Sequence, residues 1–132
     1  MGIDHGSDWE LENPELKGPE EITAEQFLSR EFLNSGQTTV VTIQKTTCSK
    51  CAGFNFDIAT NRNQSPNTES VKFLKVYCDK NPSRALNTEL GRLGIHKAPS
   101  SIIYHQGQER IIEFSRADQV LYQLECLHQR QI

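Results

Sequence analysis

Apolar residues along this chain alternate between dense β-branched runs and sets spaced three and four apart, with Gly, Pro and Asn between them. In "EEITAEQFLSREFLNSG" a short strand ends near Ile22, and Thr23 stands as the N-cap of a helix. Ala24, Phe27, Leu28 and Phe32 line one face of that helix, and Gly36 stops it. "TTVVTI" (38–43) has no polar alternation beyond Thr, which suits a central strand buried on both faces. Cys51, Phe54 and Ile58 return to helical spacing within 49–62, "NQSPNTES" (63–70) reads as a loop, and "VKFLKVYC" (71–78) as a strand. A turn over 79–82 leads into "SRALNTELGRLG", a helix carrying Leu86, Leu90 and Leu93 and closed at Gly94. "SSIIYH" and "ERIIEF" flank "QGQ", a hairpin signal with Gly107 as the residue suited to φ > 0. Ser115 is expected to cap a last helix with Ala117, Val120, Leu121, Leu124 and Leu127 on one face. The order β-α-β-α-β-α-β-β-α predicts an α/β fold: a mixed central sheet flanked by helices, with the hairpin as its antiparallel edge.

A length of 132 residues suits one domain with a single core. Residues 1–17 are polar and are expected to form a flexible acidic tail, leaving 18–132 as the folded domain. Residues 1–26 hold eight acidic side chains against Lys17, so the remainder carries 13 basic against nine acidic groups. That mild excess, without a clustered Arg/Lys stripe, argues against a nucleic-acid binder. No stretch approaches the roughly 18 apolar residues of a membrane span, and the first residues lack the pattern of a secretory signal, so no membrane partner is expected. Four cysteines are too few for a stapled secreted scaffold, which favours the cytosol or another reducing space. A monomer is expected.

Two of those cysteines form the local pair Cys48–Ser49–Lys50–Cys51, between the apolar run and the helix after it. At a helix N-terminus, unpaired backbone N–H groups and the positive end of the dipole favour a thiolate at Cys48, and Lys50 adds charge. Cys51, one turn in, would be the buried resolving thiol. Taken alone the pair also fits a metal half-site or two small packed residues. Zinc would need further ligands, and Cys78, Cys126 and the isolated His5, His96, His105 and His128 form no second compact pair. Cys78 reads as packing, Cys126 as partly exposed, and His105 and His128 as surface residues.

The cysteine pair after a hydrophobic strand, "DKNP" some thirty residues on, and "LGIHKAPSSIIYHQGQE" with Gly94, Ile95, Pro99 and Ser100 together resemble the thioredoxin family from about Gly18 onward. The resemblance implies a thioredoxin fold and thiol-disulfide exchange, with Cys48 as nucleophile and Cys51 as resolver. It implies no bound cofactor beyond the redox-active Cys48–Cys51 disulfide. Pro99 would be a cis-proline beside the pair, and Ala98, Pro99 and Ser100 would receive an extended partner chain. The partners implied are proteins with reducible disulfides, and a separate thiol reductase as electron source.

Thr42, Thr47, Ser49–Lys50 and Phe56 stand where the family usually has a buried Asp, a Trp, Gly-Pro and a Pro. Thr42 cannot take a proton from Cys51, so a slower resolving step is expected, and Thr47 removes an aromatic wall of the groove. Lys45, Lys50, His96 and Lys97 fall on the two loops expected to meet at the site. Lys50 and Lys97 are expected to favour the Cys48 thiolate, and the basic rim to favour acidic partners or an anionic thiol such as glutathione. A second class stays open: a binding module with weak or regulatory redox turnover that uses the Pro99 groove.

Overall fold

The computed structural model describes residues 16–62, 68–80 and 83–129. The predicted acidic tail, except its last two residues, lies outside them, as do most of the 63–70 loop and residues 81–82 of the turn. The elements are β1 (Glu20–Glu21), α1 (Ala24–Ser29), β2 (Thr39–Gln44), α2 (Ser49–Arg62), β3 (Lys72–Tyr77), α3 (Arg84–Leu93), β4 (Ser100–His105), β5 (Gln108–Ile112) and α4 (Ala117–Gln129). The sheet order is β1-β3-β2-β4-β5. β1, β3 and β2 run parallel, while β4 and β5 are antiparallel, so the predicted mixed sheet and its hairpin edge are present.

Local chemistry sets most boundaries. The Thr23 hydroxyl accepts from the Gln26 N–H at 3.0 Å, and Gln26 Oε1 accepts from the Thr23 N–H at 2.8 Å, a reciprocal cap. The helix predicted to run on to Gly36 breaks at Arg30, which takes φ 60°, and continues as a 3₁₀ turn over Glu31–Ser35. Arg30 holds that left-handed conformation by stacking over Phe27, donating to the Phe27 carbonyl and pairing with Glu89. In the hairpin, Gln106 and Gly107 both have positive φ, the signature of a two-residue turn that matches strand twist.

β2 distributes its side chains to two faces with a period of two. Val41 and Ile43 join Phe27, Phe32, Leu86 and Leu90 under α1 and α3. Val40 joins Phe54, Ile58, Phe73 and Val120 under α2 and α4. Thr42 and Gln44 point to that second face too, where the apolar cluster stops short of the cysteines, and both are fully buried. Polar groups fill that end of the layer.

Two boundaries depart from expectation. β5 ends at Ile112, so the predicted strand over 109–114 stops early and Phe114 takes φ 52°. Ser115 does not cap α4: it is 4% exposed and its amide and hydroxyl turn inward, while Arg116 supplies the first helical carbonyl, to the Val120 N–H at 3.2 Å. The serine is drawn inward by buried acceptors, which leaves the cap position to its neighbour.

Candidate functional site

Strand β2 delivers the chain to a tight turn in which the Cys48 N–H reaches the Lys45 carbonyl at 3.3 Å. Asp79 fixes this turn from the far side, its carboxylate accepting from the Thr46 amide at 3.0 Å and from the Thr46 hydroxyl at 2.8 Å. Burial pushes the Asp79 carboxyl up, but those Thr46 hydrogen bonds outweigh it and hold the group below its ordinary value. Cys48 is thereby placed just before α2, and the Cys51 N–H donates to Cys48 Sγ at 3.1 Å. The sulfur thus sits at the N-terminus of α2, on an amide of its first turn. Cys48 is half-buried and Cys51 is 2% exposed, the asymmetry required of an attacking and a resolving thiol.

The loop before β4 closes over the pair. The Ala98–Pro99 peptide bond is cis, and Cys48 Sγ lies 4.0 Å from the Ala98 carbonyl oxygen. Ala98 is half-buried and Pro99 buried. Ser100, expected to touch a partner, is instead fully buried: its hydroxyl donates to the Lys97 carbonyl at 2.6 Å and accepts from the Phe114 N–H at 2.9 Å. It positions the rim from inside. Lys50 and Lys97 both reach the rim, where their ammonium groups lie 4.4 and 5.6 Å from the centre of the Phe114 ring. Lys45 sits near Cys78 and Asp79. The His96 backbone N–H donates to Glu113 at 2.8 Å.

Behind the cysteines is a buried polar layer that sequence reasoning missed apart from Thr42. Gln44 and Asn55, 0% and 2% exposed, exchange two amide hydrogen bonds at 2.7 and 3.0 Å. Thr42 bonds Ser101 at 3.2 Å, Ser101 bonds Ser115 at 2.8 Å, and the Ser115 N–H donates to the Pro99 carbonyl at 2.7 Å. A hydroxyl chain thus runs from the centre of β2 to Pro99. A cavity of about 10 Å³ borders Cys48, Cys51, Gln44 and Asn55, and none of its lining residues is a carboxylate. The available signal was the polar alternation of Thr42 and Gln44 on a strand otherwise apolar.

Burial pushes the Cys51 thiol from an ordinary 9.0 up to about 12, with the hydrogen bond to Cys48 as the next cause, partly opposed by the Lys45 backbone. The folded value lies above the unfolded one, so the stabilisation from a neutral Cys51 is complete below pH 9 and is lost as pH rises toward 12. Reduced protein is therefore expected to lose stability between about pH 8 and 10.5 more steeply than oxidised protein, which has no Cys51 thiol to ionise. Urea unfolding of both forms at the two pH values measures this; parallel losses would contradict it.

Of the other cysteines, Cys78 lies close enough to Cys51 to act on its thiol electrostatically, whereas Cys126 is on α4. Cys78 packs against the cluster under α1 and α3, its N–H donates to the Gln44 carbonyl at 2.9 Å, and burial raises its thiol pKa. Cys126 is half-exposed on α4, near Tyr122, whose hydroxyl pKa it raises. His105 shares a 2.7 Å hydrogen bond with the Thr38 hydroxyl and is half-buried, while His128 is exposed. Among the described residues no group of three or more His, Cys, Asp or Glu side chains is placed to hold a metal ion. No described helix is long and apolar enough to cross a membrane.

No protein-family model matches the chain, and no curated protein matches it in sequence. Solved structures do match. Thioredoxin O2 from Arabidopsis thaliana in its oxidised state superposes with a TM-score of 0.65 at 17% identity, over 84% of this chain and 95% of that one. Chloroplastic thioredoxin z superposes at 0.65 with 20% identity, over 85% and 96%. A thioredoxin f2 structure in complex with ferredoxin:thioredoxin reductase superposes at 0.61 with 16% identity, over 86% and 98%. The chain has a thioredoxin fold.

Proposed function

We propose that this thioredoxin-fold chain is a thiol-disulfide oxidoreductase acting on protein disulfides through Cys48 and Cys51. The observation that carries the reading is the 3.1 Å hydrogen bond from the Cys51 N–H to a half-buried Cys48 Sγ, with the Cys51 thiol buried behind it. The Cys48 thiolate attacks one sulfur of the partner disulfide, so a mixed disulfide forms and the partner's other sulfur leaves as a thiolate that takes up a proton. Cys51, having lost its proton, then attacks Cys48 Sγ. The Cys48–Cys51 disulfide forms and the partner departs as a dithiol, reduced by two electrons. A separate dithiol reductase returns those electrons, a role for which the complexed thioredoxin f2 structure offers a precedent. Such a cycle belongs in a reducing compartment such as the cytosol. The Ala98–Pro99 backbone beside Cys48 is where the partner chain would lie.

A second reading draws on a specific observation. The raised Cys51 thiol and the carboxylate-free cavity beside it favour slow resolution, so a partner would be held longer as the mixed disulfide. That describes a regulatory binding module rather than a fast reductase. Insulin reduction by dithiothreitol separates the two. Acceleration that depends on Cys48 supports turnover; no acceleration, with Cys48 still forming mixed disulfides, supports the binding module.

A further inference from the structure

Beside the cysteines a groove of about 760 Å³ runs between α2 and the start of α4. Lys50, Gly53, Asp57 and Asn61, spaced three and four apart on α2, form one wall, and Pro99 and Phe114 close the end nearest Cys48. Gly53 leaves that wall shallow, since a Cβ there would meet nothing within 4 Å. Phe114 is 43% exposed with φ 52°, a conformation L side chains rarely adopt. Its amide is nonetheless pinned to Ser100, which ties it to the loop carrying Lys97. An apolar ring is thus held at the rim with an ammonium group on either contact.

The charges are unevenly arranged. Arg116 and Asp118, at the start of α4, pair with each other at 3.1 Å. Asp57 lies on the α2 wall. Lys50 and Lys97, at the cysteine end, have no carboxylate partner among the described residues. Unpaired positive charge is therefore concentrated within the first few residues' reach of Cys48.

We propose that this groove docks an acidic segment flanking the partner's reactive cysteine, with Phe114 as its apolar anchor and Lys50 and Lys97 meeting its carboxylates. The inference rests on the exchange chemistry proposed above and names the class of partner that chemistry would select.

The test uses reduced full-length protein and two cysteine peptides, one with glutamates and one with lysines beside the cysteine, each as a mixed disulfide with 2-thiopyridine. Cys48 attacks the peptide sulfur and 2-thiopyridone leaves; Cys51 then closes the intramolecular disulfide and releases the peptide thiol. Each rate is divided by the same protein's rate with 2,2′-dithiodipyridine, which carries no peptide. The acidic peptide is expected to react about tenfold faster at low salt, with the ratio falling toward one as salt rises. Lys50→Ala and Lys97→Ala are each expected to cut the ratio about threefold. Gly53→Leu, which fits the open space on the wall, and Phe114→Gly, which suits the positive φ while removing the ring, are each expected to slow both peptides about tenfold without lowering the melting temperature. Equal normalised rates, or a preference for the basic peptide, would overturn the inference while leaving the exchange chemistry intact. Discrimination that emerges only when Asp4, Asp8, Glu10, Glu12 and Glu15 are all amidated by substitution would put the chain's own leader in the groove and overturn assignment to a partner. No reaction with 2,2′-dithiodipyridine would remove the exchange chemistry, and this inference with it.

Discussion

Cys51→Ser protein is expected to accumulate a covalent mixed disulfide with a disulfide substrate, and Cys48→Ser protein to form none at that site. Cys48 is the half-exposed thiol at the start of α2, while Cys51 is 2% exposed. Deleting the inner sulfur leaves the first attack possible and removes the second, so the intermediate stays. The Cys51 N–H that donates to Cys48 Sγ belongs to the backbone, so it remains in the serine variant. Loss of single-turnover exchange in Cys48→Ser is expected to exceed about a hundredfold, since no other thiol shares this position. Mass spectrometry after acid quenching counts the adducts. Equal adduct yields in the two variants would place the reactive thiol elsewhere, with Cys126 the next candidate because it is half-exposed.

Asn55→Leu is expected to cost about 2–3 kcal/mol of stability, because it leaves the Gln44 amide buried without its two hydrogen bonds. Gln44 is fully buried on β2 and Asn55 is 2% exposed on α2, so each amide depends on the other for its hydrogen bonds. Gln44→Leu is expected to behave alike, stranding Asn55. The double variant is expected to be more stable than either single one, since removing both polar groups together leaves no orphan. Urea unfolding of the four proteins gives the coupling directly. Simple addition of the two costs would mean that the pair is not a closed unit, and that solvent reaches this layer.

How much of this was legible in the sequence differs by level. The order of strands and helices followed from β-branched runs and period-3.6 spacing, and the Thr23, Gly94 and Gly107 signals landed because each answers to backbone chemistry within a few residues. Arg30 was not legible as a helix break: its left-handed φ depends on Phe27 and on Glu89, which lies 59 positions away. Ser115 failed as a cap for the same reason, since Ser101 and Pro99 drew it inward. The cysteine pair stood out by its tight spacing, and the Pro99 loop and the pair's redox reading came from the resemblance to the thioredoxin family. The layer that supports them could not, because Gln44, Asn55, Ser101 and Ser115 are ordinary residues that acquire meaning only when the sheet brings them together. Phe114 read as the end of a strand; only its backbone conformation sets it at the rim between two lysines.

The central claim is that Cys48 and Cys51 interconvert as a dithiol and a disulfide. The direct measurement equilibrates the full-length protein in glutathione buffers of stepped ratio, blocks free thiols and maps the linked peptides by mass. The account predicts one two-electron transition in which Cys48 and Cys51 become linked to each other while Cys78 and Cys126 stay alkylated. A Cys48 that carries only glutathione at every ratio, with Cys51 alkylated throughout once unfolded, would contradict it.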